Sequence, residues 1–243
     1  MTSDAPIYKR ILLKMSGEAL LGDSHAGIDP LVLSRLAKDI QALVNARIQV
    51  AIVIGGGNLF RGTELSAIGL DRITGDQMGM LATVMNGLAL RDALEHIHLE
   101  TRLFSSFGVT GIADAFDRRK AIHDLEQNRV VIFTGGTGNP LCTTDSAASL
   151  RGVEVAAEAV LKATKVDGVY SDDPVKVRTA TKYAKLTFKQ VLDQDLKVMD
   201  LSAIALCRDH NLPIHVFNIN KPGVLMDIVT GKPEGTVIQG GES

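Results

Sequence analysis

Three charged side chains stand inside or beside glycine-rich stretches: Lys14 in LLKMSGE, Arg61 in GGGNLFRG and Asp145 in GGTGNPLCTTD. Transfer of a phosphoryl group between two anionic reactants needs this inventory. Cations offset the repulsion between the reactants, and backbone without Cβ atoms can aim N–H groups at phosphate oxygens. Lys14 and Arg61 are read as phosphate clamps, and Asp145 as the carboxylate that orients Lys14. A phosphate acceptor is already ionised, so no general base is required. Mg²⁺ would arrive on the donor nucleotide, held by its phosphates and one or two carboxylates, with Asp145 and Asp200 able to take part. Each feature also has a plain structural reading. Lys14 is then a solvated lysine on an edge strand, Asp145 a helix N-cap, and the glycines ordinary turns.

The elements that position these residues follow from the apolar pattern. Arg129 to Phe133 is a short β-branched run that empties into a loop with Gly135, Gly136 and Gly138, with Thr137, Asn139, Thr143 and Thr144 supplying short hydrogen-bonding side chains. Such a loop suits a phosphorylated or sugar-bearing ligand. Strands are expected at Arg10 to Lys14 and Gln49 to Ile54, joined by a helix that starts at Asp29-Pro30 and carries Leu33, Leu36, Ile40, Leu43 and Val44 at helical spacing. This βαβ unit brings both loops to one sheet edge, where open α/β sheets bind ligands. A long helix is predicted over Thr74 to His96, with Met78, Leu81, Met85, Leu88 and Ala89 as its core stripe and Asp76 as a helix-end carboxylate or a ribose acceptor. Further strands are expected at Thr101 to Ser105, Ala159 to Ala163, Ile214 to Phe217 and Thr236 to Ile238. Helices are expected at Arg118 to Gln127, Ser146 to Ala157, after Asp200, and at Pro222 to Val229. The polar tract Ser171 to Lys185 is a solvated loop or a lid.

Composition narrows the function classes. With 26 Lys plus Arg against 28 Asp plus Glu, the net charge of −2 argues against a nucleic-acid binder driven by bulk positive charge, and the chain has no Trp for base stacking. Neither GxGxxG nor the Walker pattern is present. The two cysteines, Cys142 and Cys207, form no CxxC pair and fit a reduced compartment. No stretch is long and apolar enough to cross a bilayer, and the N-terminal residues do not read as a signal peptide, so the expected location is the cytoplasm.

Five segments taken together resemble the bacterial uridylate kinases of the amino acid kinase family: LLKMSGE from Leu12, VIGGGNLFRG from Val53, GDQMGMLATVMNGLAL from Gly75, GGTGNPLCTTDSAA from Gly135 and LKATKVDGVYSDDP from Leu161. The Lys-x-Ser-Gly start and the GGG loop are shared with carbamate, acetylglutamate and aspartate kinases; the Gly75 and Gly135 segments are more specific. The resemblance implies one α/β domain over residues 1–243, a three-layer αβα sandwich around a mainly parallel sheet, transferring the ATP γ-phosphate to UMP. Lys14, Met15, Ser16, Gly17, Gly57, Arg61, Thr164, Tyr170 and Asp173 would hold ATP. Gly56, Asp76 and the loop of Thr137, Gly138, Asn139, Pro140, Leu141, Cys142, Thr143 and Thr144 would hold UMP. The resemblance also implies a homohexamer, activation by GTP and inhibition by UTP. Gly22, Asp23, Ser24, His25, Ala26 and Gly27 would act in activation, and Arg91, Arg102 and Arg129 are candidate anion ligands between subunits.

One departure stands inside the acceptor loop, where family members usually carry two aromatic residues and this chain has Leu141-Cys142. Cys142 is either a reactive thiol near the site or a buried, inert cysteine. Two other readings fit the clamps alone: a kinase of the same fold acting on a small acid, and a nucleotide sensor without turnover.

Overall fold

The computed structural model describes residues 5–22, 24–60 and 69–241. Nine strands form one sheet: β1 (Arg10–Met15), β2 (Gln49–Ile54), β3 (Thr101–Ser105), β4 (Asp114–Ala115), β5 (Val130–Thr134), β6 (Ala159–Thr164), β9 (Lys185–Thr187), β10 (Ile214–Asn218) and β11 (Thr236–Gln239). Their order is β4-β3-β5-β2-β1-β6-β10-β11-β9. All pairings are parallel except β10 with β11. The strands from β4 to β10 therefore end at one edge. A separate hairpin joins β7 (Val169–Tyr170) to β8 (Lys182–Tyr183).

Helices cover both faces, giving the expected three layers. On one face α1 (Pro30–Asn45), α2 (Arg72–Glu95) and α7 (Val224–Val229) pack on Ile11, Leu13, Ile52, Ile132 and Leu161. On the other, α3 (Arg118–Glu126), α4 (Thr144–Glu154), α5 (Phe188–Asp193) and α6 (Leu201–Asp209) pack on Leu12, Val53, Val131 and Val160. The period-two alternation of the central strands assigns each side chain to a face. Because β1 is central, Lys14 is 7% exposed and is not the solvated edge lysine. Asp29 caps α1 by accepting from the Leu31 and Val32 amides, with Pro30 in the first turn.

Helix α2 corrects the expected core stripe. Leu81 and Met85 are each 51% exposed, and Met78, Leu88 and Ala89 are only half-buried. The buried face is instead Gly75, Ala82, Thr83, Val84, Asn86, Gly87, Leu90 and Leu94. Close approach explains the exchange. A Cβ on Gly56 would lie 2.6 Å from the Gly79 carbonyl, and one on Gly87 would lie 2.8 Å from Leu103 Cδ1. Only small residues let the helix sit that near the sheet, so the large apolar side chains turn outward. The helix cap is Asp71, which accepts from the Thr74 amide, and Asp76 lies a turn further in. The tract Ser171 to Lys185 is likewise more than loop, since it holds β8 and leads into β9 and α5.

Beneath the first face, on β10, His215 is 6% exposed and its Nε2 lies 2.8 Å from the Tyr8 hydroxyl. Burial lowers the imidazole pKa from 6.5 to about 4, whereas an unfolded histidine protonates near 6.5. The unfolded chain then binds the extra proton between these values, so stability present above pH 6.5 is lost as the pH falls toward 4. We expect wild type to lose at most about 3 kcal/mol by this route. Urea titrations from pH 7 to 4 should show a shallower loss in His215→Gln; parallel curves would exclude His215 as the group.

Candidate active site

Strands β1 and β6 are neighbours whose register pairs Lys14 with Lys162. Both lysines alternate in step with Leu12 and Val160 and point to the α4 face, opposite Leu13 and Leu161. Helix α4 begins directly above them. Its N-cap is Thr143, whose hydroxyl accepts from the Asp145 and Ser146 amides, so Asp145 is not the cap and its carboxylate is released for other work. Lys14 Nζ lies 2.7 Å from Asp145 Oδ1, and Lys162 Nζ donates to Oδ2 at 2.8 Å. Lys162 also donates to the Val198 carbonyl.

The three side chains are between 9% and 14% exposed. Burial pushes the Asp145 carboxyl up, but the two ammonium groups outweigh it and leave the carboxyl below its ordinary range. Burial pulls the Lys162 ammonium down against the attraction of Asp145. Asp200 adds a second carboxylate at the N-terminus of α6. It makes no cap to its own helix and instead accepts from the Thr143 and Ser146 hydroxyls.

Two cavities flank this cluster. One of about 570 Å³ is lined by Lys162, Thr164, Tyr170, Asp173 and Val198. It gathers the three residues expected at the adenosine end of ATP. Thr164 is held by donating to the Val166 carbonyl at 2.6 Å, and Tyr170 by donating to Asp167 at 2.6 Å. The other cavity, about 350 Å³, is lined by Gly56, Gly57, Asp76, Cys142, Thr143 and Thr144 among others. Of the expected acceptor loop, Thr137, Gly138, Asn139, Pro140 and Leu141 do not line this cavity. Asp76 ties that loop to α2: its carboxylate takes Arg72 at 2.9 Å and the Leu141 amide at 2.9 Å. Cys142 is exposed, which corrects the reading of a buried cysteine; the buried thiol is Cys207.

The remaining expected residues divide. Met15 is fully buried in the core, which leaves only its backbone for a ligand. Ser16 caps a 3-10 turn at Gly17–Leu20, accepting from the Glu18 amide. A Cβ on Gly17 would meet the Gly55 carbonyl at 2.8 Å, so glycine there lets two turns touch. Arg61 and Asp23 lie outside the described residues. Gly22, Ser24, His25 and Ala26 are exposed, while Gly27 is bound twice to Asn58: its amide donates to the Asn58 carbonyl and its carbonyl accepts from Nδ2 at 2.8 Å. Arg102 and Arg129 line cavities of about 440 and 550 Å³ beside β3, with Arg129 already paired to Glu100 and Asp124. Arg91 lies beside Arg102 in a third, of about 340 Å³.

Sequence reasoning missed Lys162 and the Asn58–Asn86 pair. A lysine within the apolar run AVLKA of β6 was the available signal. The two buried asparagines exchange hydrogen bonds of 3.0 and 2.7 Å, and Asn86 also donates to the Gly55 carbonyl at 2.7 Å. They pin the triple-glycine turn to α2.

A profile of the amino acid kinase family matches residues 9–218. This chain belongs to the amino acid kinase family. It is 60% identical over 238 residues to the uridylate kinase of Marinobacter nauticus and 59% identical over 237 residues to that of Coxiella burnetii, covering 98% of each chain in both comparisons. Among solved structures, the UMP kinase of Bacillus anthracis superimposes with a TM-score of 0.93 at 40% identity, covering 96% of both chains. The uridylate kinase of Archaeoglobus fulgidus is more distant, with a TM-score of 0.73 at 28% identity over 94% of this chain and 99% of that one. The amino acid kinase fold is thus shared across a wide range of sequence divergence.

Replacing Asn86 with alanine would take its donor away from the buried Asn58 Oδ1 and from the Gly55 carbonyl. We expect a loss of about 2–3 kcal/mol, on the scale of unsatisfied buried polar groups. It would be read as a lower urea midpoint at unchanged slope; an unchanged midpoint would mean the pair is dispensable.

Proposed function

We propose that this chain transfers the γ-phosphate of ATP to UMP, giving UDP and ADP in pyrimidine nucleotide synthesis. The observation that carries the reading is the Lys14–Asp145–Lys162 cluster beside two cavities, one lined by Thr164, Tyr170 and Asp173 of the donor set and the other by Gly56, Asp76, Cys142, Thr143 and Thr144 of the acceptor set. Full-length likeness to proteins named uridylate kinase supports UMP as acceptor. The reading takes residues 1–243 as one amino acid kinase-type domain.

An acceptor phosphate oxygen attacks the γ-phosphorus, and the bond to the β–γ bridging oxygen breaks as ADP leaves. Little is asked of the protein beyond positioning and charge. Lys14 leans on the transferred phosphate, steered by Asp145, and Arg61 serves as the second clamp. The backbone of Met15, Ser16, Gly17 and Gly57 receives the donor phosphates, while Thr164, Tyr170 and Asp173 hold its nucleoside. Gly56, Asp76 and residues 137–144 receive UMP, and hydrogen bonding to uracil rejects cytosine through mismatched donors and acceptors.

Mg²⁺ belongs with the donor. Among the described residues no three His, Cys, Asp or Glu side chains group to hold an ion by themselves. That donor set fits a cation carried on the nucleotide's phosphates, with Asp200 the more available carboxylate, since both Asp145 oxygens face lysines. When bound, it would neutralise phosphate charge.

Regulation by GTP and UTP, with residues 22–27 acting in activation, draws support from the attachment of Gly27 to Asn58 beside the triple-glycine turn. The arginines beside β3 would supply effector anion contacts. A homohexamer draws support from the outward stripe of Ile73, Leu81 and Met85, which a second copy would cover. The proposed location is the cytoplasm; no helix among the described residues is long and apolar enough to cross a membrane.

ADP release would be measured from MgATP with UMP, CMP, AMP, carbamate and N-acetylglutamate as separate acceptors. Turnover with UMP is expected; turnover only with an acid, or binding without turnover, would replace this reading with a small-acid kinase or a sensor. In the active enzyme, Lys14→Ala and Asp145→Ala should each lower kcat by at least about 100-fold, the scale of one preorganised electrostatic group. Near-wild-type rates with the fold intact would remove that residue from the reaction. Leu81→Glu with Met85→Glu should lower the mass seen by light scattering, and an unchanged mass would place the subunit interface elsewhere.

A further inference from the structure

Asp145 meets two lysines, but their contacts differ in kind. Lys162 Nζ is committed on two sides, to Asp145 Oδ2 at 2.8 Å and to the Val198 carbonyl. Lys14 Nζ is close to Oδ1 at 2.7 Å, yet this oxygen has no partner in hydrogen-bond alignment. One ammonium is anchored and the other is poised. The reaction asks Lys14 to leave the carboxylate for a phosphate oxygen. A buried carboxylate stripped of its only cation would resist that departure, because an unpaired charge in the interior is far costlier than a paired one.

We propose that Lys162 is a positioning residue for phosphoryl transfer: it keeps the Asp145 carboxylate paired and fixed while Lys14 turns to the transferred phosphate. The inference rests on the phosphoryl-transfer reading above. Its structural basis is the strand register, which sets Lys162 directly beside Lys14. Among the described residues, the charged groups around the pair are Lys14 from β1, Asp145 from α4 and Asp200 at the start of α6. The bond to Val198 reaches the segment leading to Asp200, which in turn holds Thr143 and Ser146 at the start of α4. Lys162 thereby braces Asp145 directly and braces the turn that carries it. It also lines the donor-type cavity, so a direct contact with the donor is the competing role to be separated.

The test uses the full chain with MgATP and UMP, comparing wild type, Lys162→Met, Lys162→Arg, Asp145→Asn and the double variant Lys162→Met/Asp145→Asn. Lys162→Met should lower kcat about 30-fold or more while both KM values stay within about threefold, because the group acts on the chemical step and not on uniform binding. Lys162→Arg, which keeps a cation beside Asp145, should recover most of the loss. With Asp145 already neutral there is no charge to hold, so adding Lys162→Met to Asp145→Asn should cost less than about twofold.

A kcat within threefold of wild type in Lys162→Met, a defect confined to the KM for ATP, or a full additional loss in the double variant would each overturn the inference. Should Lys162→Met fail to fold, the double variant removes both charges together, and its comparison with Asp145→Asn decides the question alone. Wild-type turnover is the control that keeps the two readings apart. If wild type does not phosphorylate UMP, the reaction itself is wrong; if it does and Lys162→Met keeps its kcat, only the role of Lys162 is wrong.

Discussion

A buried, ionised carboxylate is the constraint around which this protein is arranged. Asp145 cannot remain charged in the interior without cations of its own, and it has two, delivered by adjacent parallel strands in register. That arrangement fixes more than a contact. A one-residue slip of β1 against β6 would send one lysine to the opposite face of the sheet, so the ion cluster and the hydrophobic layering select the same register. Thr143 completes it by taking over the helix cap, which leaves the aspartate side chain free to face the sheet.

Around that centre the protein separates its tasks by construction. The donor-type cavity is walled by the end of β6, by Val216 of β10 and by β7 with the turn that follows it. The acceptor-type cavity is made by close approach: Gly56 against Gly79, the Asn58–Asn86 pair across the same gap, and Asp76 reaching over to the loop after β5. Small and amide residues on α2 make this possible. Its large apolar side chains are therefore displaced to the outer surface.

Much of this was legible in the sequence, for physical reasons that differ between elements. Buried parallel strands are continuous apolar runs, and β1, β2, β3, β5, β6, β10 and β11 were placed within a residue or so of their ends. Asp29-Pro30 announced α1 because a cap and a fixed φ act locally. Helix α2 misled because its inward face is set by clearance to the sheet, which spacing of apolar residues does not encode. Asp76 was misjudged for a related reason: Asp71, five residues earlier, holds the cap. The strands β4, β7, β8 and β9 are two or three residues long, too short for any periodicity. Lys162 escaped notice because its partner is 17 positions away in sequence, and only the sheet brings Lys14 beside it.

Leu141 carries a consequence for how such a site can diverge. Its φ of +68° places it in the left-handed region, and its side chain is 64% exposed, so the protein holds this residue by its amide, on Asp76, and not by its side chain. Branched and bulky residues are disfavoured in that backbone region, which glycine and short polar residues such as asparagine enter most readily. Exchange at this position is thereby filtered by backbone shape and not by side-chain packing. A substitution at Leu141 therefore meets a backbone constraint first, while Asp145, a few residues further along, is held by the two lysines it pairs with.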